Sequence, residues 1–557
     1  MPQVSISFEN AVSQFVQIEY TFLAKGHAVL HLQLPAWRPG RYELANFAQY
    51  IRNVKVSNDI SKITSVTKDK WRIETKGAEL ITVTYEFYAA RMDAGSSYLD
   101  ENQLYINPIN CIPYILEYDE EYTLGLNIPS DFEVACALPF QDQKLTAKNH
   151  FELADSPFIA SRKLQKFTFE EQGTEFHVCI NGNCEVDSLK LLHDFQRYTK
   201  EQIELFGEFP CRTYHYLIQV LDYVHYHGVE HAYSTVITLG PSTDVFEKRY
   251  DDLLGISSHE LFHTWNVCRI RPEEMVPYDL SKENYFETGY VAEGITTYYG
   301  DYMLARSGVF SETQFFDEFN IYLKRHFDND GRHASSLAQS SNQLWLDGYK
   351  AGIPARKVSI YIKGALVCFL ADVQIRKATN NTKSLDDVLR LLWQKHGKTS
   401  IGYSSTHYKL YLEQVSGVSF NDYFDKFIYG TVDLSDSLQE SLDYLGCELK
   451  IEENPNTIEG VFGLKLSKPS HGKHKVLVIA EDSPASQFMQ MTDHVLKVEL
   501  DDQTCTLTIS RNKVEKEVKL VAGGNTFLEI RTIVKKLNCD DAQKLNFERW
   551  LKKPFEA

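Results

Sequence analysis

Ser258-His259-Glu260-Leu261-Phe262-His263-Thr264-Trp265 holds the pattern H-E-x-x-H. On a helix, residues four apart stand one above the other, so His259 and His263 present two imidazoles to one point. Glu260 lies beside them, near enough to take a proton from a metal-bound water. Neutral imidazole and carboxylate suit zinc, which keeps one position open for water in catalytic sites. In a chain with 18 histidines among 557 residues the motif also arises by chance, on the order of a few per cent of the time. The competing reading is a helix whose two histidines face polar surroundings, and a third ligand decides between the two.

Downstream, Thr288-Gly289-Tyr290-Val291-Ala292-Glu293-Gly294-Ile295-Thr296-Thr297-Tyr298-Tyr299 reads as the start of a helix continuing to Gly308. Glu293 falls in its first turns, with Tyr290, Val291, Ile295, Tyr298 and Tyr302 available to pack inward. A carboxylate on a buried aromatic face is costly unless it is paired or bound to metal; a solvated Glu on a surface helix is the bland alternative. Two His and one Glu on successive helices is the ligand set of thermolysin-like peptidases.

The segment His259 to Val267, followed by Arg269-Ile270-Arg271-Pro272 and Glu293-Gly294, resembles the glycyl aminopeptidase family of zinc metallopeptidases. Leu34-Pro35-Ala36-Trp37-Arg38-Pro39-Gly40-Arg41-Tyr42 resembles that family's L-P-x-W-x-P-G-x-Y segment, and Val415-Ser416-Gly417 and Tyr423-Phe424 through Tyr429-Gly430 fit as well. The resemblance implies one zinc ion per chain, held by His259, His263 and Glu293, with Glu260 as the catalytic base. It implies peptide substrates with a free N-terminus and a small first residue, Gly or Ala. Gly228-Val229-Glu230-His231, followed by Ser234, resembles the family's G-x-E-H stretch, whose Glu pairs with the substrate's α-amino group by a charge-assisted hydrogen bond. Val229 and His231 stand where broader aminopeptidases carry Met and Asn, which leaves the pocket's shape open; a Glu ending an edge strand is the bland reading. Ser359-Ile360-Tyr361-Ile362-Lys363-Gly364 resembles the Y-x-K-G stretch, so Tyr361 is expected to support the oxyanion. Tyr349 is its nearby rival, and a buried structural Tyr the alternative. His225, His227 and His231 cluster, but no Cys or Asp completes a second metal set, so hydrogen-bonding roles are expected. Arg269 and Arg271 have an ion-pairing or structural role, with a peptide carboxylate as the other option.

Outward from this centre the chain divides into three, a multidomain α+β arrangement. Val4 to Phe8, Phe15 to Phe22, Ala28 to Leu34 and Ile81 to Tyr88 alternate apolar and polar residues, the period of a half-buried sheet. Residues 1–160 are therefore expected to form a β-sandwich-like domain. Leu189, Leu191, Leu192, Phe195, Tyr198, Ile203 and Leu205 recur at helical spacing up to Gly207 and Pro210. A strand from Tyr214 to Leu221, an irregular His-rich stretch, and a strand from Thr235 to Leu239 follow, and the chain then reads as mainly helical to about Gly430. Residues 161–445 are read as a thermolysin-like catalytic domain. After Glu452-Glu453-Asn454-Pro455-Asn456, strands return at Leu464 to Leu466, Lys475 to Ile479, Val495 to Leu500 and Thr506 to Ile509. Residues 446–557 resemble the family's PDZ-like domain with a C-terminal tail. Val461-Phe462-Gly463-Leu464 resembles a carboxylate-binding loop, but Gln487 to Asp493 keeps only the final Asp of the usual G-L-x-x-G-D.

Composition narrows the partners. With 58 basic and 76 acidic residues the net charge is −18, a field that repels phosphate backbones and anionic lipid. Nucleic acid is therefore not expected as a partner. No apolar run approaches a membrane span, Gly364 to Val373 being the best. Met1-Pro2-Gln3-Val4-Ser5 has neither a basic nor an apolar signal region, and the ten cysteines form no C-x-x-C pair. These features read as a cytoplasmic protein with reduced cysteines. Two other readings remain: a zinc endopeptidase, in which Glu230 has another task, and an inactive peptide-binding scaffold that uses the PDZ-like module.

Overall fold

The computed structural model describes residues 1–57, 59–350, 352–501 and 503–556. Alternation makes the N-terminal domain β-rich: Val4, Ile6, Val16, Ile18, Tyr20 and Phe22 are all buried, on one face of strands Gln3–Ser7 and Phe15–Leu23. These strands lie in a seven-stranded sheet, and Val29–Gln33 and Lys70–Glu74 lie in a four-stranded one. Leu30, Leu32 and Ile73 close the same core from the second sheet. A third sheet includes Gln103–Ile106, Glu133–Cys136 and Phe158–Ser161. Its Tyr105, Ala135 and Ile159 pack on Leu217, Val229 and Val236 of the middle domain. Across that seam Asn181 Nδ2 donates to Gln103 Oε1 at 3.0 Å, and within its own sheet to Gln219 Oε1 at 2.8 Å.

The first long helix of the middle domain is Ser188–Phe206, where the apolar spacing places it. The Asp187 side chain accepts from Lys190 N–H at its start, and Gly207, with φ of 86°, ends it. Beside it runs a five-stranded sheet in the order Leu164–Glu171, Thr174–Asn181, Thr213–Val220, Ser234–Gly240, His225–Glu230. The His-rich stretch expected to be irregular is thus a strand, antiparallel to Ser234–Gly240 at the sheet's edge. Gly228 and the alternating histidines hide it, because its outer edge borders a cavity and carries no apolar alternation.

From Tyr250 the chain is mainly helical. The helices Tyr250–Phe262 and Ile295–Arg306 pack together, and the latter is preceded by a single π-helical turn, Tyr290–Gly294. Tyr290, Val291, Ile295, Tyr298 and Tyr302 are buried, as the spacing predicts. The helix Ile362–Ala378 crosses this turn at close range. A Cβ on Gly294 would stand 2.6 Å from Gly364 Cα, so only glycine permits that approach.

The C-terminal domain is β. Leu464–Leu466, His474–Ile479, His494–Leu500, Thr504–Arg511 and Val514–Val521 form a five-stranded sheet in chain order, each strand antiparallel to the next. Phe462, Leu464, Val476, Val495, Leu507 and Ile509 make its small separate core. The chain then turns back: Ile530–Lys535 pairs with Cys447–Glu452, and the helix Asp541–Leu551 inserts Trp550 among the aromatic residues of the middle domain. Trp550 Nε1 donates to Tyr298 Oη at 2.9 Å. All ten cysteines are free thiols. Among the described residues no helix is long and apolar enough to cross a membrane.

Candidate metal centre and substrate cavity

His259 and Glu260 lie in the last turn of the Tyr250–Phe262 helix, and His263 caps it. The two Nε2 atoms are 3.0 Å apart, close to the ~3.3 Å that two nitrogens on one tetrahedral ion at about 2.0–2.1 Å would show. Glu293, on the π turn, brings Oε2 to 3.4 Å from His263 Nε2. The ligand atoms of His259, His263 and Glu293 all lie within 4.8 Å of one another. A π turn shifts the register of a helix by one residue, and such turns are frequent at functional sites.

The orientation of His263 is fixed from behind. Its Nδ1 donates to Asn266 O at 2.7 Å, so Nε2 is the nitrogen turned toward the cluster, and it offers a lone pair once its own proton gives way to a metal. Asn266 Nδ2 in turn donates to Val291 O at 2.8 Å and Ala292 O at 3.2 Å. One side chain thereby ties the H-E-x-x-H helix to the turn carrying Glu293. Glu293 Oε1 accepts a hydrogen bond from the Tyr42 hydroxyl at 3.1 Å. Neither Asn266 nor Tyr42 was picked out from the sequence.

Electrostatics say what is wanted there. Burial opposes charge on His263, but Glu293, Glu230 and Glu260 outweigh it and lift the ring to about 10. Burial holds His259 neutral, well below the usual histidine range, with His263 adding to the effect. Burial raises Glu260 well above the carboxylate range; Glu230 and Glu293 add to this while His263 opposes it. Three buried carboxylates beside two imidazoles demand a cation, and the borderline-soft N/O donor set fits zinc.

Glu230 ends the edge strand His225–Glu230 and is buried, with Oε1 lacking a protein partner; burial raises it, His263 opposes this, and Glu293 adds to the rise. It belongs with Glu260 and His263 to a second group whose ligand atoms lie within 4.8 Å. Glu260 Oε2 is likewise buried and unpartnered. Two glycines make room for these carboxylates. A Cβ at Gly40, whose φ is +79°, would stand 2.3 Å from Glu230 Oε2, and a Cβ at Gly228 would stand 2.2 Å from Glu260 Oε1. Tyr361 opens the Ile362–Ala378 helix, and its hydroxyl meets that of Tyr349 at 3.3 Å. Burial, Glu293 and Tyr349 push its phenol well up, so it stays protonated.

All these groups border one cavity of about 400 Å³, which also takes in Asp251, Asp252, Asp301, Glu318 and Tyr322. That acidic wall was not singled out from the sequence, because its members come from three helices. The other sequence candidates are not members of the ligand cluster, although His227 borders the cavity. His231 Nδ1 bonds Asp155 Oδ1 at 2.9 Å. His227 Nδ1 accepts from Ala94 N–H at 3.3 Å. Arg269 donates to Thr264 O at 2.7 Å and Ala232 O at 3.0 Å, and Arg271 donates to Cys268 O at 2.8 Å and lies 4.0 Å from the centre of the Tyr278 ring. His227 and His231 thus have the hydrogen-bonding roles expected of them, and the arginines one of their two options, whereas His225 Nε2 is buried without a partner among the described residues.

Two imidazoles and a carboxylate converge from successive helical segments, with a further carboxylate inside the H-E-x-x-H turn, a donor set able to hold one metal ion. The sequence profile of the M61 glycyl aminopeptidase matches residues 252–367, and that of the peptidase M61 N-terminal domain matches residues 3–162. Both profile matches are to the M61 glycyl aminopeptidase family, and the chain is a peptidase. An aminopeptidase N family protein from Idiomarina loihiensis has a similar structure, with a TM-score of 0.90 at 24% identity over 99% of this chain and 100% of that one. An M1 zinc metallopeptidase from Deinococcus radiodurans is more distant, with a TM-score of 0.48 at 12% identity over 78% of this chain and 94% of the other. No curated protein matches.

Proposed function

We propose that the chain removes a small N-terminal residue, Gly or Ala, from peptides with a free amino terminus, with one zinc ion held by His259, His263 and Glu293. The observation that carries this reading is Glu230, a buried carboxylate with a free oxygen, facing the same cavity as the ligand cluster. A carboxylate so placed pairs with a substrate ammonium, and that pairing fixes the cut at the first peptide bond. When bound, zinc supplies Lewis acidity that acidifies water and polarises the scissile carbonyl. Glu260, free at Oε2, takes the proton of the attacking water and delivers one to the departing amine. Tyr361 donates to the oxyanion as it develops, with Tyr349 bracing its hydroxyl.

We assign residues 1–160 to the N-terminal β domain, 161–445 to the catalytic domain and 446–557 to a PDZ-like module with its tail. Asp493, kept from the G-L-x-x-G-D pattern, is bound by Arg511 at 2.7 and 2.6 Å, which supports a structural role for that module.

The test is hydrolysis of Gly- and Ala-p-nitroanilide beside their N-acetylated forms, with and without chelator and added zinc, for the native chain and Glu230→Gln. Cleavage confined to free amines, lost on chelation, restored by zinc and reduced about 30-fold or more by Glu230→Gln is expected, since breaking a buried charge pair costs about 2–5 kcal/mol. Cleavage of the blocked substrates would make the chain an endopeptidase. No turnover together with no bound zinc would leave a scaffold.

A further inference from the structure

The segment Leu34–Tyr42 belongs by sequence to the β domain, yet it docks on the catalytic part. Ala36 N–H donates to Leu280 O at 2.7 Å, and Trp37 Nε1 donates to Asp279 O at 2.8 Å. The buried Trp37 ring meets Tyr278 and Trp345 edge-on, with centroids 5.6 and 4.9 Å away. Beyond it, Gly40 abuts the Glu230 carboxylate and Tyr42 reaches Glu293, so one short segment touches two of the centre's carboxylates.

We infer that Tyr42 is a positioning residue for the metal centre: its hydroxyl holds Glu293 Oε1 so that Oε2 is presented to the ion, and the site is complete only when the N-terminal domain supplies this bond. The inference rests on the reading of His259, His263 and Glu293 as zinc ligands. Glu293 and Tyr42 are 2% and 1% exposed, so water does not replace the bond if it is lost. Among the described residues, the Tyr42 hydroxyl is the hydrogen-bond donor found at Oε1, while Oε2 is the oxygen that faces His263. A carboxylate with one oxygen fixed and the other turned to the ion binds through a defined atom, and a donor of this kind also keeps the side chain from swinging toward His263 alone. Tyr42 does not border the cavity, so it acts through Glu293 and not on substrate. Its ring is packed independently, 4.9 Å from Phe286 and 6.1 Å from Trp345 between centroids, so Tyr42→Phe removes the hydroxyl and leaves the packing.

The experiment measures zinc affinity of the full chain by competition with a chromophoric chelator, for the native protein, Tyr42→Phe and Phe286→Leu. The visible spectrum of the cobalt-substituted proteins and the melting temperatures of metal-free and zinc-loaded forms are read alongside. Tyr42→Phe should weaken zinc binding about 10- to 100-fold, the range found when a ligand's hydrogen-bonding partner is removed. It should also alter the cobalt bands and shrink the rise in melting temperature that zinc confers. Phe286→Leu should lower the metal-free melting temperature and leave affinity and spectrum unchanged. Zinc affinity within threefold of native for Tyr42→Phe, with an unaltered cobalt spectrum, overturns the inference. So does an equal loss of affinity in Phe286→Leu, which would reduce the role to packing. If the native chain itself binds no zinc, the ligand assignment fails first and the inference with it.

Discussion

Replacing Gly40 with Ala isolates the contact between the N-terminal domain and the anchor carboxylate. The new methyl carbon would lie 2.3 Å from Glu230 Oε2, 2.8 Å from Cδ and 2.9 Å from Oε1. To restore an ordinary contact of about 3.4 Å the carboxylate has to retreat by about 1.1 Å. A misplacement of about 1 Å at a reacting group costs up to about 100-fold in rate. The backbone adds a separate penalty, because φ at Gly40 is +79°, and a side chain there costs roughly 1–2 kcal/mol of stability. Gly26 separates the two effects: its φ is +78°, but nothing lies within 4 Å of a Cβ built on it. The assay is kcat/KM for Ala-p-nitroanilide in the native chain, Gly26→Ala and Gly40→Ala, with zinc content and melting temperature recorded for each. Both variants should lose similar stability, both should keep zinc, and only Gly40→Ala should lose activity, by about 100-fold. Native activity in Gly40→Ala would refute the placement of Glu230 as the ammonium anchor. Equal activity losses in the two variants would show that strain, not the carboxylate, is responsible.

Gly228→Ala should act on the other carboxylate, since its Cβ would meet Glu260 Oε1 at 2.2 Å; kcat should fall by about 100-fold or more while zinc content stays native, as metal analysis beside steady-state kinetics would show. Glu318 gives a pH test. Burial first, then Asp301, Asp252 and Asp251, lift it to about 8, so the fold favours its protonated form. That contribution is complete below the unfolded pKa of about 4.3 and is lost as pH rises through 8. Melting curves of Glu318→Gln should therefore match the native chain near pH 4 and lie above it at pH 8.5; a variant less stable than native at pH 8.5 would mean that Glu318 is ionised and paired.

What could be read from the sequence, and what could not, follows from the distance along the chain over which each feature is encoded. His259, Glu260 and His263 are legible because helical geometry alone makes residues four apart neighbours, and nothing elsewhere need be known. The burial of Tyr290, Val291, Ile295, Tyr298 and Tyr302 is legible for the same reason. The π turn under Glu293 is not: beside it a Cβ on Gly294 would stand 2.6 Å from Gly364 Cα, a close approach of two helical segments that neither glycine announces. The edge strand His225–Glu230 was hidden because one of its edges faces the cavity, and strand periodicity is written by burial. Tyr42 is the extreme case, since it meets Glu293 across 251 positions. Its segment stood out as a motif, but a motif states that residues matter without stating what they touch. The return of Trp550 to Tyr298 shows the same limit at the other end of the chain. The centre is thus built from two kinds of information. The helix supplies the imidazoles locally, whereas the aim of Glu293 and the room for Glu230 come from a loop of another domain. A change in how that domain docks would reach Glu293 through Tyr42 and Glu230 through Gly40 while leaving the H-E-x-x-H turn intact. Loss of metal affinity and loss of the amine anchor should therefore travel together in variants of the docking residues Trp37 and Trp345, and separately in variants of the two contacts themselves.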